Sequence, residues 1–406
     1  MNAPWFTAST LALAGLAGTG GDEKLPAAAS GEESGSGLIS LKLADEVTMK
    51  FFGRLFIDWG WFDGDEATYN NDTDGTTPSL EAGTEFRAAR MGVEGTLYEK
   101  TGYKVEFDFA NGVTEAKDVF VTVKDTAAGE VRIGHFKEPF SLEQLTSSRF
   151  ISFVERSVAD AFAPGRNSGF QVSDANGSQS MTWAAGLFKT TDDQAKGFGD
   201  SEMSATARVT GTGWYEGEGT DVLHLGAAVS YRKDDESRFR SRPEVKLGLN
   251  RPADTGAIAA DDTMLLGLET AWVKGRFSAQ AEYQMASVSA ASGGTDGDFA
   301  GYYAFVSWFL TGEHRNYKKS TGAFDRVKPT ENFGAGRGAV ELLARYSSLD
   351  LDDGPSTGEM NDVTLGANWY LNPNSRVMLN LVHSEYEESG VDDELDALVV
   401  RFQVDW

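Results

Sequence analysis

The chain contains no cysteine, which excludes a disulfide framework, a thiolate nucleophile and a thiolate metal site. Its four histidines are scattered along the sequence, and none lies at a metal-ligand spacing from another. His383 and Ser384 are adjacent, so on one strand their side chains would face opposite ways and could not act together on a substrate. The sequence therefore gives no indication of an enzyme, a metal site or another cofactor.

Basic residues are also scarce. The chain has 36 Lys and Arg against 62 Asp and Glu, a net charge of -26, which disfavours nucleic acid as a partner because phosphate binding needs a basic face. Long apolar runs are missing as well: beyond the N-terminus no segment is apolar for the roughly 18 residues that a spanning helix needs. A transmembrane barrel remains open, because its strands carry their apolar face in alternation with polar residues.

The acidic residues gather in segments that we predict to be loops. Two interpretations stay open: solvated loops that aid solubility, or a cell-surface face that binds divalent cations or works in high salt. The clusters are Asp63, Asp65, Glu66, Asp72 and Asp74; Asp192, Asp193 and Asp200; Asp350, Asp352 and Asp353; and Glu387, Glu388, Asp392, Asp393 and Glu394.

Three regions are predicted along the chain. Residues 1–21 contain an apolar run, Leu11 to Ala17, typical of an export signal, although no Lys or Arg precedes Lys24 and the signal is therefore atypical. Residues 22–46 have the Gly, Ser, Ala and acid composition of a linker. Residues 47–406 are predicted to form a single β domain.

The β prediction rests on strict alternation of apolar and polar residues. Leu398, Val400, Phe402 and Val404 alternate with charged or polar neighbours up to Trp406, and the same pattern recurs upstream in about sixteen segments. The connections alternate between tight turns and long acidic loops. Short turns on one side and long loops on the other are the layout of a sixteen-stranded antiparallel transmembrane barrel, and closure leaves no unpaired strand edge in lipid.

Three connections do not fit a simple surface loop. The segment Lys137 to Arg156, between strands predicted at Val131 to Phe136 and Ser168 to Ser173, is apolar and aromatic and needs something to pack against. The segments Asp234 to Asp262 and Thr311 to Gly338 are also long, the latter on the short-turn side. We predict that all three fold into the lumen.

At this point the sequence resembles the phosphate-selective porin O and P family, over roughly residues 47 to 406. The resemblance is carried by the order and spacing of several motifs: Gly53-Arg-Leu55; Phe86-Arg-Ala-Ala-Arg-Met-Gly-Val-Glu-Gly95; Gly134-His-Phe-Lys-Glu-Pro-Phe-Ser-Leu-Glu143; Arg238-Phe-Arg-Ser-Arg-Pro243; Leu310-Thr-Gly-Glu313; Asn368-Trp-Tyr-Leu-Asn372; and Val400-Arg-Phe-Gln403. It implies a homotrimeric channel of the bacterial outer membrane in which inward loops narrow the pore and Arg and Lys side chains conduct anions.

Arg238, Arg240 and Arg242 are spaced by two, so in an extended segment their guanidinium groups point the same way and could pass an oxyanion along a row. The alternative is a solvated basic loop paired with the neighbouring acids. Lys318 and Lys328 match positions where the family's phosphate-binding members carry lysine. Those members have a further lysine where this chain has Gln144, which leaves tight phosphate selectivity open.

Other basic residues match or adjoin the family's conduction path, and the resemblance implies that they line the pore. These are Arg54, Arg87, Arg90, Arg156 and Lys137. For Arg345 and Arg401, on the polar faces of predicted strands, inward ion pairs that stiffen the barrel are the favoured interpretation.

The expected function is passive diffusion of small anions across the outer membrane, with phosphate as the leading candidate. The expected partners of the barrel are outer-membrane lipid and identical subunits of a homotrimer. Two alternatives remain: a general or cation-preferring porin governed by the acidic loops, and a structural envelope barrel that passes no solute.

Overall fold

Sixteen long antiparallel strands form a closed barrel in the computed structural model, which describes residues 39–44, 46–70, 79–110, 112–199, 202–354 and 356–406. The strands are β1 (Val47–Gly64), β2 (Gly83–Leu97), β3 (Thr101–Asp108), β4 (Glu115–Thr126), β5 (Gly129–Lys137), β6 (Arg166–Ala175), β7 (Met181–Lys189), β8 (Met203–Glu216), β9 (Asp221–Lys233), β10 (Ile258–Lys274), β11 (Phe277–Ala290), β12 (Gly297–Phe309), β13 (Ala339–Asp350), β14 (Glu359–Asn372), β15 (Ser375–Glu388) and β16 (Val391–Asp405). The predicted fold class is confirmed.

The predicted export signal and most of the predicted linker lie outside the described residues. A further strand, Ile39–Ala44, pairs antiparallel with the start of β1. Strand structure therefore begins inside the segment assigned to a linker, because Ile39, Leu41 and Leu43 already alternate with polar residues. Within the described ranges, no helix is both long and apolar enough to cross a membrane.

The barrel closes between its first and last long strands. β1 pairs with β16 from Arg54 opposite Asp405 to Gly64 opposite Leu395. Beyond that register, Gly53 and Trp406 exchange two backbone hydrogen bonds of 3.1 Å each. Closure satisfies the N–H and C=O groups that would otherwise form open sheet edges.

The alternation read from the sequence sorts the side chains between lipid and lumen. In β11, Ser278, Gln280, Glu282 and Gln284 are buried inside the barrel, whereas Tyr283 between them is 42% exposed on the outer face. Indole groups lie on the outer face as well: Trp59, Trp61, Trp272, Trp308 and Trp369. The wall is therefore apolar outside and polar inside.

The connections divide into two sets as predicted, but several acids expected in loops lie in strands, among them Asp63 in β1 and Asp350 in β13. Glu387, Glu388, Asp392, Asp393 and Glu394 were expected in a long loop but lie in β15 and β16. The two strands are joined by Ser389 and Gly390 alone, both with positive φ, 54° and 79°. Positive φ at both central positions gives the tight hairpin turn that matches strand twist. The sequence prediction missed this turn because the many acidic residues around it have the composition of a solvated loop.

Three long connections fold into the lumen, as predicted: loop 138–165, loop 234–257 and loop 310–338. In the first, the Val154 N–H donates to Asn380 Oδ1 at 3.1 Å. In the second, the Glu244 N–H donates to Asp362 Oδ2 at 2.8 Å. In the third, Arg315 Nη2 donates to Gln280 Oε1 at 2.9 Å. Each acceptor is an inward residue of the wall.

The interior of these loops is apolar where they meet one another. Phe140, Val154, Val158 and Phe162 of loop 138–165 are buried in one cluster with Phe239 of loop 234–257. Full burial of such a side chain contributes about 1.5–3 kcal/mol. The lumen is therefore partly filled by a packed core that holds the loops in fixed positions.

Candidate functional site

Loop 234–257 carries a group of arginines on one side of a short hairpin. Arg240–Ser241 pairs with Ala253–Asp254. Phe239, buried at 8% exposure, packs on Phe162 and on Phe299 of β12, so its neighbours Arg238 and Arg240 point away from the wall. Within the described part of the chain, Arg240 makes no ion pair.

Arg238 differs from the other members of the predicted row. Its Nε and Nη2 donate to the two carboxylate oxygens of Asp254 at 2.7 and 2.5 Å. The charge of Arg238 is therefore balanced locally. The sequence placed the three arginines on one side but could not distinguish the paired one from the others.

Arg251 extends this group, which we call the loop cluster: Arg240, Arg242 and Arg251. Burial, together with repulsion from Arg242 and Arg240, lowers the pKa of Arg251 to about 10. Burial also lowers the pKa of Arg242, with Arg87 of β2 and Arg240 contributing to the decrease. Arg251 therefore remains charged at neutral pH. The sequence analysis missed Arg251, for which the only signal was its place in the same long loop.

Arg87 faces the loop cluster from the wall. Its Nε and Nη2 donate to Glu155 Oε1 and Oε2 at 2.6 and 2.9 Å, and Arg401 Nη2 donates to Glu155 Oε1 at 2.8 Å. Although burial opposes ionisation, these two cations hold the pKa of Glu155 below its ordinary value. The Glu155 carboxylate thus meets two guanidinium groups, and Arg401 also binds the Asp58 carboxylate, so the four charges balance.

Arg156 and Lys137 form a second basic region. Arg156 Nε donates to the Glu143 carbonyl at 3.1 Å and Nη2 to the Thr146 carbonyl at 3.3 Å, while Lys137 donates to the Gln144 carbonyl. Carbonyl oxygens satisfy the donors without cancelling the formal charge. The carboxylate within ion-pair distance of Arg156 among described residues is Asp160, at 3.9 Å.

The wall beside this region adds further cations, two of which the sequence analysis missed. Lys104 of β3 and Arg166 of β6 both bind Asp118, at 2.8 and 2.7 Å, and each is about one-fifth exposed, at 18% and 19%. Lys104 and Arg166 occupy separate strands, so no local spacing reveals that they share one carboxylate. We call Arg156, Lys137, Lys104 and Arg166 the inner cluster.

Arg54 and Arg90 are engaged more tightly. Arg54 Nη2 lies 2.5 Å from Glu106 Oε1, and Nη1 donates to Ser148 Oγ at 2.9 Å. Arg90 Nε lies 2.7 Å from Asp108 Oδ2. Both arginines are buried, at 4% and 9% exposure. They connect the wall to the first inward loop and to neighbouring strands.

Lys318 and Lys328 lie in loop 310–338, at the turn end of the barrel. Both side chains are exposed, and no interaction described for this chain joins either of them to the loop cluster. Tyr317, the residue before Lys318, is held on the wall by its hydroxyl, which lies 2.7 Å from His224 Nδ1. Gln144, at the position of the family's third lysine, is buried at 8% exposure.

Arg345 and Arg401 form the inward ion pairs predicted for them. Arg345 Nε donates to Glu244 Oε2 at 2.8 Å and Nη1 to Glu143 Oε1 at 3.2 Å. Arg401 donates twice to Asp58, at 2.7 Å each. Arg345 therefore joins two inward loops to the wall, and these arginines hold the shape of the lumen.

Comparison with known proteins identifies the relatives of this chain. The model of the family named phosphate-selective porin O and P matches residues 53–406. Porin O of Pseudomonas aeruginosa is 29% identical over 400 residues, which cover 88% of each chain. Among solved structures, an anion-selective porin from Comamonas acidovorans is 14% identical with a TM-score of 0.56 over 89% of this chain and 100% of its own. The outer membrane channel DcaP of Acinetobacter baumannii is 12% identical with a TM-score of 0.58 over 91% and 100%. These two structures share the fold.

Proposed function

Because this chain belongs to the phosphate-selective porin O and P family, we propose that it is an anion channel of the bacterial outer membrane through which phosphate and other small anions diffuse down their gradients. Family and fold identify a channel rather than an enzyme. The observation that supports anion passage best is the loop cluster, in which three arginines converge while the acid of the same hairpin is already paired with Arg238.

The loop cluster offers an oxyanion several weak partners in place of one strong one. Guanidinium groups are permanently charged and present flat arrays of N–H donors that match phosphate oxygens. Conduction requires that a solute bind well enough to enter and weakly enough to leave. Arg240, Arg242 and Arg251 repel one another, and an anion that binds between them relieves this repulsion. None of the three forms an ion pair with a carboxylate of the described residues, so their donors are open to the anion.

The inner cluster would receive the anion next. Arg156 and Lys137 donate to loop carbonyl groups, and Lys104 and Arg166 share Asp118, while Glu106 lies 3.7 Å from Lys104. In a narrow lumen of lowered dielectric constant these charges act more strongly than the same charges in bulk water. The two clusters provide successive positive regions along one route.

The net charge of -26 does not oppose this route, because many of the acids lie elsewhere. Asp392, Glu394 and Asp396 alternate with Asp393 and inward Leu395 at the start of β16 and face outward, away from the lumen. Solvent-exposed charges further away than about 8–10 Å are largely screened at physiological salt. Anion preference then depends on the charges that line the lumen.

Phosphate is the leading solute because the family is named for it, and because Lys318 and Lys328 resemble, by their place in the sequence, the lysines of the family's phosphate-binding members. Exposed ammonium groups bind phosphate reversibly as point charges. Gln144 replaces a third lysine and is buried, so we expect phosphate to be favoured over chloride less strongly than in relatives that keep that lysine.

We further propose a homotrimer embedded in outer-membrane lipid. β3 has 8 residues whereas β10 has 17, and at about 3.3 Å per residue and a tilt near 40° the former reaches only ~20 Å of height, less than the apolar band of ~25 Å. The same part of the wall exposes Ile133 and Leu187 at 56% and 59%. A neighbouring subunit against this low wall would cover them, and mass measurement in detergent tests the assembly.

Planar-bilayer recording tests the proposed conduction. A potassium chloride gradient gives a reversal potential of anion sign, and added phosphate reduces the chloride current. The double variant R240A/R242A shifts the reversal potential toward potassium, whereas R276A, which removes a cation from the tight turn at residues 275–276, does not. Potassium preference in the unmodified protein would favour a cation-preferring porin, and no current would favour a structural envelope barrel.

A further inference from the structure

Asp160 lies on a short 3-10 helix, Val158–Phe162, inside loop 138–165. Val158, Ala159 and Phe162 are buried at 1% exposure or less, and the residue before the helix, Ser157, donates its N–H and its hydroxyl to Glu143 Oε2 at 3.0 Å each. Ala159 packs on Tyr303, Phe305 and Leu343 of the wall, which fixes the helix in position. Asp160 keeps 25% side-chain exposure and is directed toward the basic region rather than into the apolar core.

The carboxylate of Asp160 is incompletely satisfied. Oδ1 lies 3.9 Å from Arg156 Nε, beyond hydrogen-bonding distance, and has no hydrogen-bond partner within the described structure. The donors of Arg156 and Lys137 are instead directed at loop carbonyls. A carboxylate oxygen that is buried without a hydrogen bond makes ionisation costly, so the proton on Asp160 is held more tightly than on a carboxylate in water.

The charges around Asp160 act in both directions. Arg156 and Lys137 favour its ionised form, whereas Glu143 and Glu155 oppose it, and burial outweighs them all and raises the pKa of Asp160 to about 7. The other elements packed on the helix also carry ionisable groups, and most of these have partners. Tyr303 donates to Glu282, Arg345 binds Glu244, and Asp362 accepts from the Glu244 N–H. Arg240 makes no ion pair within the described residues.

We infer that Asp160 is a specificity-determining residue of the channel: it competes with the passing anion for Arg156, and its protonation leaves that cation to the solute. This role depends on the proposed anion route, and within that route Asp160 would regulate the preference for anions. The step is a reversible transfer of one proton between solvent and the Asp160 carboxylate. Below about pH 7 the carboxyl is neutral and the inner cluster is one charge more positive; above that pH the cluster is less positive.

Reversal potentials in a potassium chloride gradient test the inference, because chloride and potassium do not titrate in this range. On going from pH 8.5 to pH 5.5 the chloride-to-potassium permeability ratio of the unmodified protein should rise about threefold, the effect of one charge a few ångströms from the path in a partly hydrated lumen. D160N should match the low-pH value at both pH values. D160E should restore the dependence on pH, and D392N, the same change on the outer rim, should behave as the unmodified protein.

Dependence on pH that persists in D160N overturns the inference and assigns the effect to another titratable group. A flat profile of the unmodified protein between pH 5.5 and 8.5 overturns it without any variant, should D160N fail to assemble. Potassium preference of the unmodified protein at both pH values would instead contradict the proposed anion function, and the difference between D160N and the unmodified protein at pH 8.5 would still test Asp160.

Discussion

Arg238 and Asp254 join the two ends of the hairpin in loop 234–257 through two parallel contacts of 2.7 and 2.5 Å. The pair lies next to the short ladder between Arg240–Ser241 and Ala253–Asp254. One arginine of the row thus fixes the shape of the loop, and its neighbours are presented to the lumen with their charges unbalanced.

A charge-neutral change at this pair should separate structure from conduction. R238Q/D254N removes one charge of each sign and keeps hydrogen-bonding groups, so the chloride-to-potassium permeability ratio should stay near that of the unmodified protein. R242Q removes one uncompensated charge and should lower the ratio about threefold, since a unit charge acts with under about 1 kcal/mol across a partly hydrated lumen. Reversal potentials measure both. A larger shift in the neutral double variant would contradict the distinction drawn between these arginines.

Removal of Arg345 should destabilise the barrel. Its guanidinium is buried between Glu244 and Glu143 of two inward loops, and R345M would leave both carboxylates without their cation, at a cost of about 3–5 kcal/mol. Loss of the heat-resistant folded band on gel electrophoresis at a lower temperature would report this change.

The control for R345M is K100M at an exposed ion pair. Lys100 and Asp125 are 3.7 Å apart with side chains 61% and 75% exposed, and such pairs contribute under about 1 kcal/mol. Equal unfolding temperatures for R345M and K100M would show that the buried lattice does not hold the loops.

Neutralising the outer rim should leave selectivity unchanged. The triple variant E387Q/D392N/E394Q removes three negative charges from the outward face of β15 and β16, where water and salt screen them within about 8–10 Å. At a physiological ionic strength of about 0.15 M, the reversal potential should match that of the unmodified protein. A shift larger than that of R242Q would make the acidic rim the main determinant of selectivity.

Gly53 should be intolerant of a side chain. A Cβ there would lie 2.3 Å from the Trp406 ring and 2.8 Å from the Arg90 carbonyl oxygen, and the carbonyl belongs to backbone that cannot rotate away. G53V should therefore reduce the yield of folded barrel. Gly165, with nothing within 4 Å of its added Cβ, supplies the control G165A, whose yield should be unaffected.

The wall could be predicted from sequence because a period of two is a local property of each strand. The long interior loop was predictable for a similar reason: Phe140, Phe153 and Val154 are too apolar for a surface segment, and all three are buried at 1% exposure or less. The hairpin at Ser389 was missed because the acids around it resemble a solvated loop.

The site was harder to predict because its partners are distant in sequence. Arg87 binds Glu155 across 68 residues and Arg401 binds Asp58 across 343, and no spacing rule relates such positions. Arg251 belongs to no motif, and the pairing of Arg238 but not Arg240 depends on which residue faces Asp254 in the short ladder. Charge type was readable from the sequence, whereas charge balance required the tertiary structure.

The pairing of β1 with β16 closes the barrel and needs the last strand of the chain. Because the part of β1 from Arg54 to Gly64 pairs with β16, the last strand of the chain, that part has one unpaired edge until β16 is in place. A chaperone that carries the chain to the membrane therefore has to cover that edge. A variant truncated before β16 would have two unpaired strand edges and could not close the barrel.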